Sequence, residues 1–208
     1  GLRRAGAAVA IERLAGQVAL FLVLAAGALT VTLMPGGLTL PSWVMGLIGA
    51  LLSVALIAML AIGGAGQLPG RAGTAARDLR GALRVTLLAP GALPRQVALN
   101  LAITGANLAA FAFCAAATGT MMSPVETAVL VPLILLTMIL PLTVSGWGLR
   151  EGAAAGLFPL IGASAQAGLA ASLAFGLMFL ASTLPGLLVL LAQRRVNRPA
   201  PAAIQADP

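Results

Sequence analysis

Leu140-Pro-Leu-Thr-Val-Ser-Gly-Trp-Gly-Leu-Arg-Glu-Gly152 sets a charge pair, Arg150-Glu151, between two hydrophobic runs that leave it no room to quit a membrane. A proline, three glycines and two small hydroxylated residues break the helix here. Broken backbone at membrane depth is tolerated where protein buries it or where it lines a cavity, because lipid supplies no hydrogen-bond partners. An ionisable pair in such a place marks a functional site. Ser145, Gly146, Gly148, Arg150 and Glu151 are therefore candidate substrate-binding residues.

The composition fixes the solvent in which this break must be read. The chain has 208 residues, 60% hydrophobic and 8% charged, with mean hydropathy +1.05. About a quarter of the residues in soluble domains are charged, so the sequence predicts an all-α polytopic membrane protein. Six apolar segments carry it: Leu14 to Met34, Val44 to Gly63, Gln96 to Thr118, Val125 to Leu142, Glu151 to Ala163 and Gln166 to Gln193. Pro132 interrupts the fourth and the fifth is too short to span untilted, so the stretch 125–163 is expected to form a broken or re-entrant helix pair. Residues 1–193 form one membrane domain with a basic interfacial segment at 64–96, and 194–208, rich in Pro and Ala, form a disordered cytoplasmic tail.

Histidine, tyrosine and lysine are missing from the chain, and Cys114 stands in an apolar segment. A zinc site needs several Cys or His ligands, and a hydroxyl or thiol nucleophile needs a base. No metal, cofactor or catalytic constellation is expected, and the chain does not read as an enzyme. The net charge of +7 comes entirely from arginine. Nucleic acid is not the expected partner, since no aromatic platform or basic soluble domain accompanies it. Instead the arginines follow the positive-inside bias of helix-flanking segments. With the amino terminus, the 64–96 loop, the 143–151 break and the carboxyl terminus on one side, six crossings put all twelve arginines inside. A pair that dips and returns is the alternative, expected to carry the C-terminal arginines outside.

Gln96, Asn100, Thr104 and Asn107 share one helical face, which makes Asn100 and Asn107 candidates either for interhelical hydrogen bonding or for lining a substrate path. Gly152 and Gly156 form a GxxxG pair on the fifth segment, a pattern that lets another backbone approach closely. Glu12-Arg13 precedes the first segment as Arg150-Glu151 precedes the fifth, adding Glu12 and Arg13 to the candidate site and suggesting a weak internal repeat.

Pro141, Ser145-Gly-Trp-Gly-Leu-Arg-Glu-Gly152 and the apolar helices that follow resemble the C-terminal signature of the lysylphosphatidylglycerol synthase transmembrane-region family, also called the flippase-like membrane domain. Arg4-Ala-Gly-Ala-Ala-Val-Ala-Ile-Glu-Arg-Leu14 resembles that family's basic run ending in Glu-Arg-Leu. The resemblance implies further helices upstream, so the chain reads as a C-terminal fragment without the aminoacyl-transferase domain fused to some relatives. It also implies a flippase-like function: moving or binding an anionic phospholipid or lipid-linked substrate across a bacterial inner membrane, with lipid head groups as partners. The alternative is the membrane component of an enzyme that modifies lipids or builds glycolipids. A scaffold that transports nothing would leave Arg150 and Glu151 replaceable.

Overall fold

A computed structural model describes residues 2–33, 38–65, 92–139 and 146–196 with isolated positions between 70 and 81, and side chains from Ala15 to Val189 apart from 62, 63, 65, 187 and 188. Every element among the described residues is helical. The order is α1 (Leu2–Leu33), α2 (Ser42–Ala65), α3 (Ala92–Ala117), α4 (Pro124–Leu136) with a 3-10 turn at Thr137–Ile139, α5 (Leu149–Leu157) with a 3-10 turn at Phe158–Ile161, and α6 (Ala165–Val196). Four windows are long and apolar enough to cross a membrane: Ala15–Leu33, Ser42–Ala61, Ala92–Ala117 and Ala165–Gly186.

The remaining pair is short for physical reasons. Ser123 caps α4 through its hydroxyl, which accepts from the Glu126 amide at 3.3 Å, while the Glu126 carboxylate accepts from the Ser123 amide at 2.6 Å. This reciprocal cap explains the lone acid in that turn. Pro132 inside α4 cannot donate to the carbonyl four residues back, that of Ala128. Gly27 of α1 packs on this freed carbonyl: a Cβ at Gly27 would stand 3.0 Å from Ala128 O and 2.9 Å from Val129 Cγ2. At 1.5 Å per residue α5 is only about 14 Å long, against a hydrocarbon core of about 30 Å. The expected broken pair is thus present, and six full crossings are not carried by the helix lengths.

One expectation fails on geometry alone. Two crossings and a dip both return the chain to the face it left, so the start of α6 lies on the same face in either arrangement, and a re-entrant pair does not invert its end.

The core lies where α1, α3, α4, α5 and α6 meet. Leu24, Phe111, Val129, Leu130, Val131, Ile134 and Phe158 are completely or almost completely buried there. Phe111 binds the layers together, 5.4 Å from the Phe175 ring and 6.4 Å from the Phe158 ring between centroids. By contrast, α2 is anchored by Val44 and Ile48 and exposes Val54, Leu56, Ile57, Met59 and Leu60. An apolar surface of that kind is what a helix presents to lipid.

The expected tail begins later than position 194, since α6 continues to Val196; residues 197–208 lie outside the described residues. Most of the basic segment at 64–96 also lies outside them. Glu12 and Arg13 fall inside α1 rather than at a helix start, whereas Arg150 and Glu151 open α5. The two dipeptides occupy different structural positions, so the suggested internal repeat finds no support in the fold.

Candidate functional site

The site is built on the turn between α4 and α5. Gly146 and Gly148 have φ of 78° and 90°, a left-handed region that costs a residue with a Cβ about 1–2 kcal/mol. At Gly146 the requirement is also steric, because a Cβ there would lie 2.6 Å from Met138 Cγ. At Gly148 nothing described stands within 4 Å of that position, so the constraint is the backbone alone. These two turns swing the chain into α5 with Arg150 and Glu151 on its buried side.

Their side chains are almost wholly enclosed, at 2% and 6% exposure. Arg150 Nη2 lies 2.5 Å from Glu151 Oε1. Arg150 Nε donates to the same oxygen at 3.2 Å and to Ser172 Oγ of α6 at 3.0 Å. The other carboxylate oxygen, Oε2, accepts from the Gly148 amide at 2.6 Å. The guanidinium has two aromatic neighbours, with the Trp147 centroid 5.3 Å and the Phe175 centroid 5.6 Å from Cζ. Cation–π attraction is strongest where the cation is desolvated, as here. Gly176 completes the seat: a Cβ at that position would collide with Nη2 of Arg150.

The pairs between α5 and α6 also fix depth. Arg150 meets Ser172 and Gly176, while Ala154 and Phe158 meet Gly168. Rising numbers on one helix face falling numbers on the other, so α5 and the first part of α6 form an antiparallel hairpin. It closes at Gly162, whose φ is 75°. Ser172 and Gly176 stand about 10–17 Å along α6 from Ala165. That is the middle of the apolar window Ala165–Gly186. The ion pair therefore sits at mid-span.

Sequence reasoning placed other residues less well. Asn100 Nδ2 donates to Gln96 O of its own helix at 2.9 Å, a local bond rather than one between helices. Its Oδ1 faces α1, 3.8 Å from where a Cβ of Gly16 would stand. Asn107 is half-buried; neither amide is among the partners of the ion pair. Thr104, between them, is buried. On α1, Gln17 Oε1 is buried with no hydrogen-bond partner among the described residues. Glu12 and Arg13 have no described side chain, and Ser145 lies outside the described residues.

The GxxxG expectation is corrected. Gly152 and Gly156 are exposed with nothing described within 4 Å of a Cβ position. The close approach is made from the other helix, by Gly168 against the Ala154 carbonyl and Phe158. Nor does the Gly148 amide stand open for a ligand, since Glu151 occupies it. Ser172 and Gly176 were missed, and in a chain with 25 glycines no local signal separates Gly176 from the rest.

A helical membrane protein whose short, broken helix carries a buried ion pair level with the middle of a long apolar helix window is the class defined by this fold and site. The chain belongs to the family described as the lysylphosphatidylglycerol synthase TM region, whose sequence profile matches residues 1–186. No curated protein and no solved structure matches it.

Proposed function

We propose that this chain is a lipid-handling membrane domain in which Arg150 takes the anionic head group of a phospholipid or lipid-linked substrate and Glu151 orients the guanidinium. The observation that carries the reading is the seat itself. A charged pair buried at mid-span is costly, and here two glycine turns, two aromatic rings, a serine and a notch at Gly176 hold one guanidinium in place. The planar fork of arginine suits a phosphate bidentately. In the described hydrogen bonds it uses Nε and Nη2, and Nη1 takes part in none of them. A short helix meeting a glycine-rich break is also the pattern of transporter binding sites.

Arginine asymmetry supports an orientation with both ends of residues 1–208 in the cytoplasm, and the membrane we propose is the inner membrane of a bacterium. The family's description, the membrane region of a synthase, favours a second reading, in which the domain serves a lipid-modifying enzyme. The test is transbilayer movement of fluorescent lipids in proteoliposomes. Movement that depends on the head group, and that Arg150→Lys lowers at least tenfold while the protein stays monodisperse, is the expected outcome. Wild-type rates from Arg150→Lys and from Arg150→Ala/Glu151→Ala would overturn Arg150 as the head-group site; movement absent from the wild type would favour the enzyme component or the scaffold.

A further inference from the structure

We infer that an anion entering the Arg150 seat is accompanied by one proton, taken up by Glu151, so that head-group binding is electroneutral. The inference rests on the head-group reading above and adds the charge balance that reading requires.

Arg150 and Glu151 together carry no net charge, and both are buried level with the middle of the apolar window Ala165–Gly186 of α6. The surroundings offer no second cation among the described side chains. On α4 the ionisable group is Glu126, engaged in the cap at Ser123. On α3 they are Arg95, exposed near the helix start, and Cys114, buried in the apolar core. The described side chains of α1 (from Ala15), α2 and α6 (to Val189) include none, and the charged residues of α1 and α6, Arg3, Arg4, Glu12, Arg13, Arg194 and Arg195, lie at the helix ends beyond those side chains. A bound anion therefore takes the site from neutral to a net charge of minus one.

Two binding geometries are open, and they agree. The ligand either displaces the Glu151 carboxylate from the Nε and Nη2 edge of Arg150 or adds to the Nη1 edge while the carboxylate stays. In both, one negative charge is left over where water cannot solvate it, and burial of an uncompensated charge is relieved by neutralising the group. The proton comes from bulk water and adds to Glu151 Oε1, and the ion pair to Arg150 is exchanged for one between Arg150 and the ligand. The resulting neutral acid keeps its neighbours. Ser172 Oγ, 3.4 Å from Oε1, accepts the new O–H, and Oε2 goes on accepting from the Gly148 amide at 2.6 Å.

The experiment is calorimetry on the purified full chain. A short-chain phosphodiester lipid, whose own charge is constant between pH 6 and 8, is titrated in two buffers of different ionisation enthalpy. The wild type is expected to take up one proton per lipid bound, and its apparent Kd to rise about tenfold for each unit of pH. Glu151→Gln is expected to bind with no proton uptake and no such slope, and Glu151→Asp to keep both. Binding by the wild type without proton uptake overturns the coupling and leaves the head-group reading standing. No binding by a folded wild type overturns both, and proton uptake that persists in Glu151→Gln assigns the proton elsewhere and overturns the role of Glu151.

Discussion

Arg150 and Glu151 each owe their burial to the other. Removing one leaves a charge stranded at mid-span, which costs about 2.5–3.5 kcal/mol on insertion scales. Arg150→Ala and Glu151→Ala are therefore each expected to destabilise the folded protein more than Arg150→Ala/Glu151→Ala does, in a thermal unfolding series in detergent. A double variant less stable than both single ones would refute the interdependence. Gly176→Ala probes the same seat from the opposite helix. One methyl group displaces the guanidinium, so a loss of head-group binding larger than that of Ser172→Ala is expected. Ser172→Ala removes one hydrogen bond, of about 0.5–1.5 kcal/mol, and leaves the notch open. The acid-base pair could be read from sequence because charge between apolar runs is rare. Its seat could not, since a serine and a glycine in an apolar helix look alike whether they line a site or face lipid.

At the scale of the element, the glycines divide by backbone rather than by spacing. Gly148→Ala forces a Cβ into a φ of 90° and is expected to cost about 1–2 kcal/mol. Gly156→Ala, in an exposed helical position with open space around it, is expected to be neutral or to stabilise by up to about 1 kcal/mol. Equal losses from the two would show that the GxxxG spacing matters after all. The sequence showed that α4 and α5 would be short and broken, because proline and glycine act locally. Which glycines touch a neighbour is decided by the packing partner. Pro132 frees the carbonyl of Ala128 and Gly27, more than one hundred positions earlier, meets it.

Across the whole molecule, parity governs the ends. Reporter fusions after Arg84 and after Arg198 are expected on one face, the cytoplasm, and a fusion near Ser123 on the other. A fusion after Arg198 found outside would overturn the orientation, since neither arrangement of α4 and α5 places it there. To separate two crossings from a dip, Leu149→Cys is introduced with Cys114→Ala. A membrane-impermeant maleimide applied to the cytoplasmic face is expected to leave it unlabelled, because residue 149 lies next to a pair buried at mid-span. The helix count and the four long spans were legible because length and hydropathy suffice for them. Depth was not, because it depends on the α5–α6 hairpin, a contact between two segments and a property of neither alone.

That hairpin has a consequence for how the protein is made. Nine residues with an arginine and a glutamate in the first turn are too short and too polar to leave the translocation machinery for lipid by themselves. The partners that neutralise and enclose that turn, Ser172, Phe175 and Gly176, are synthesised later. So α5 must wait in water until α6 emerges and then enter with it as a folded unit. A nascent chain stopped at Ala163 should hold its last helix where a protease or an impermeant label reaches it, and one extended to Gly186 should protect it.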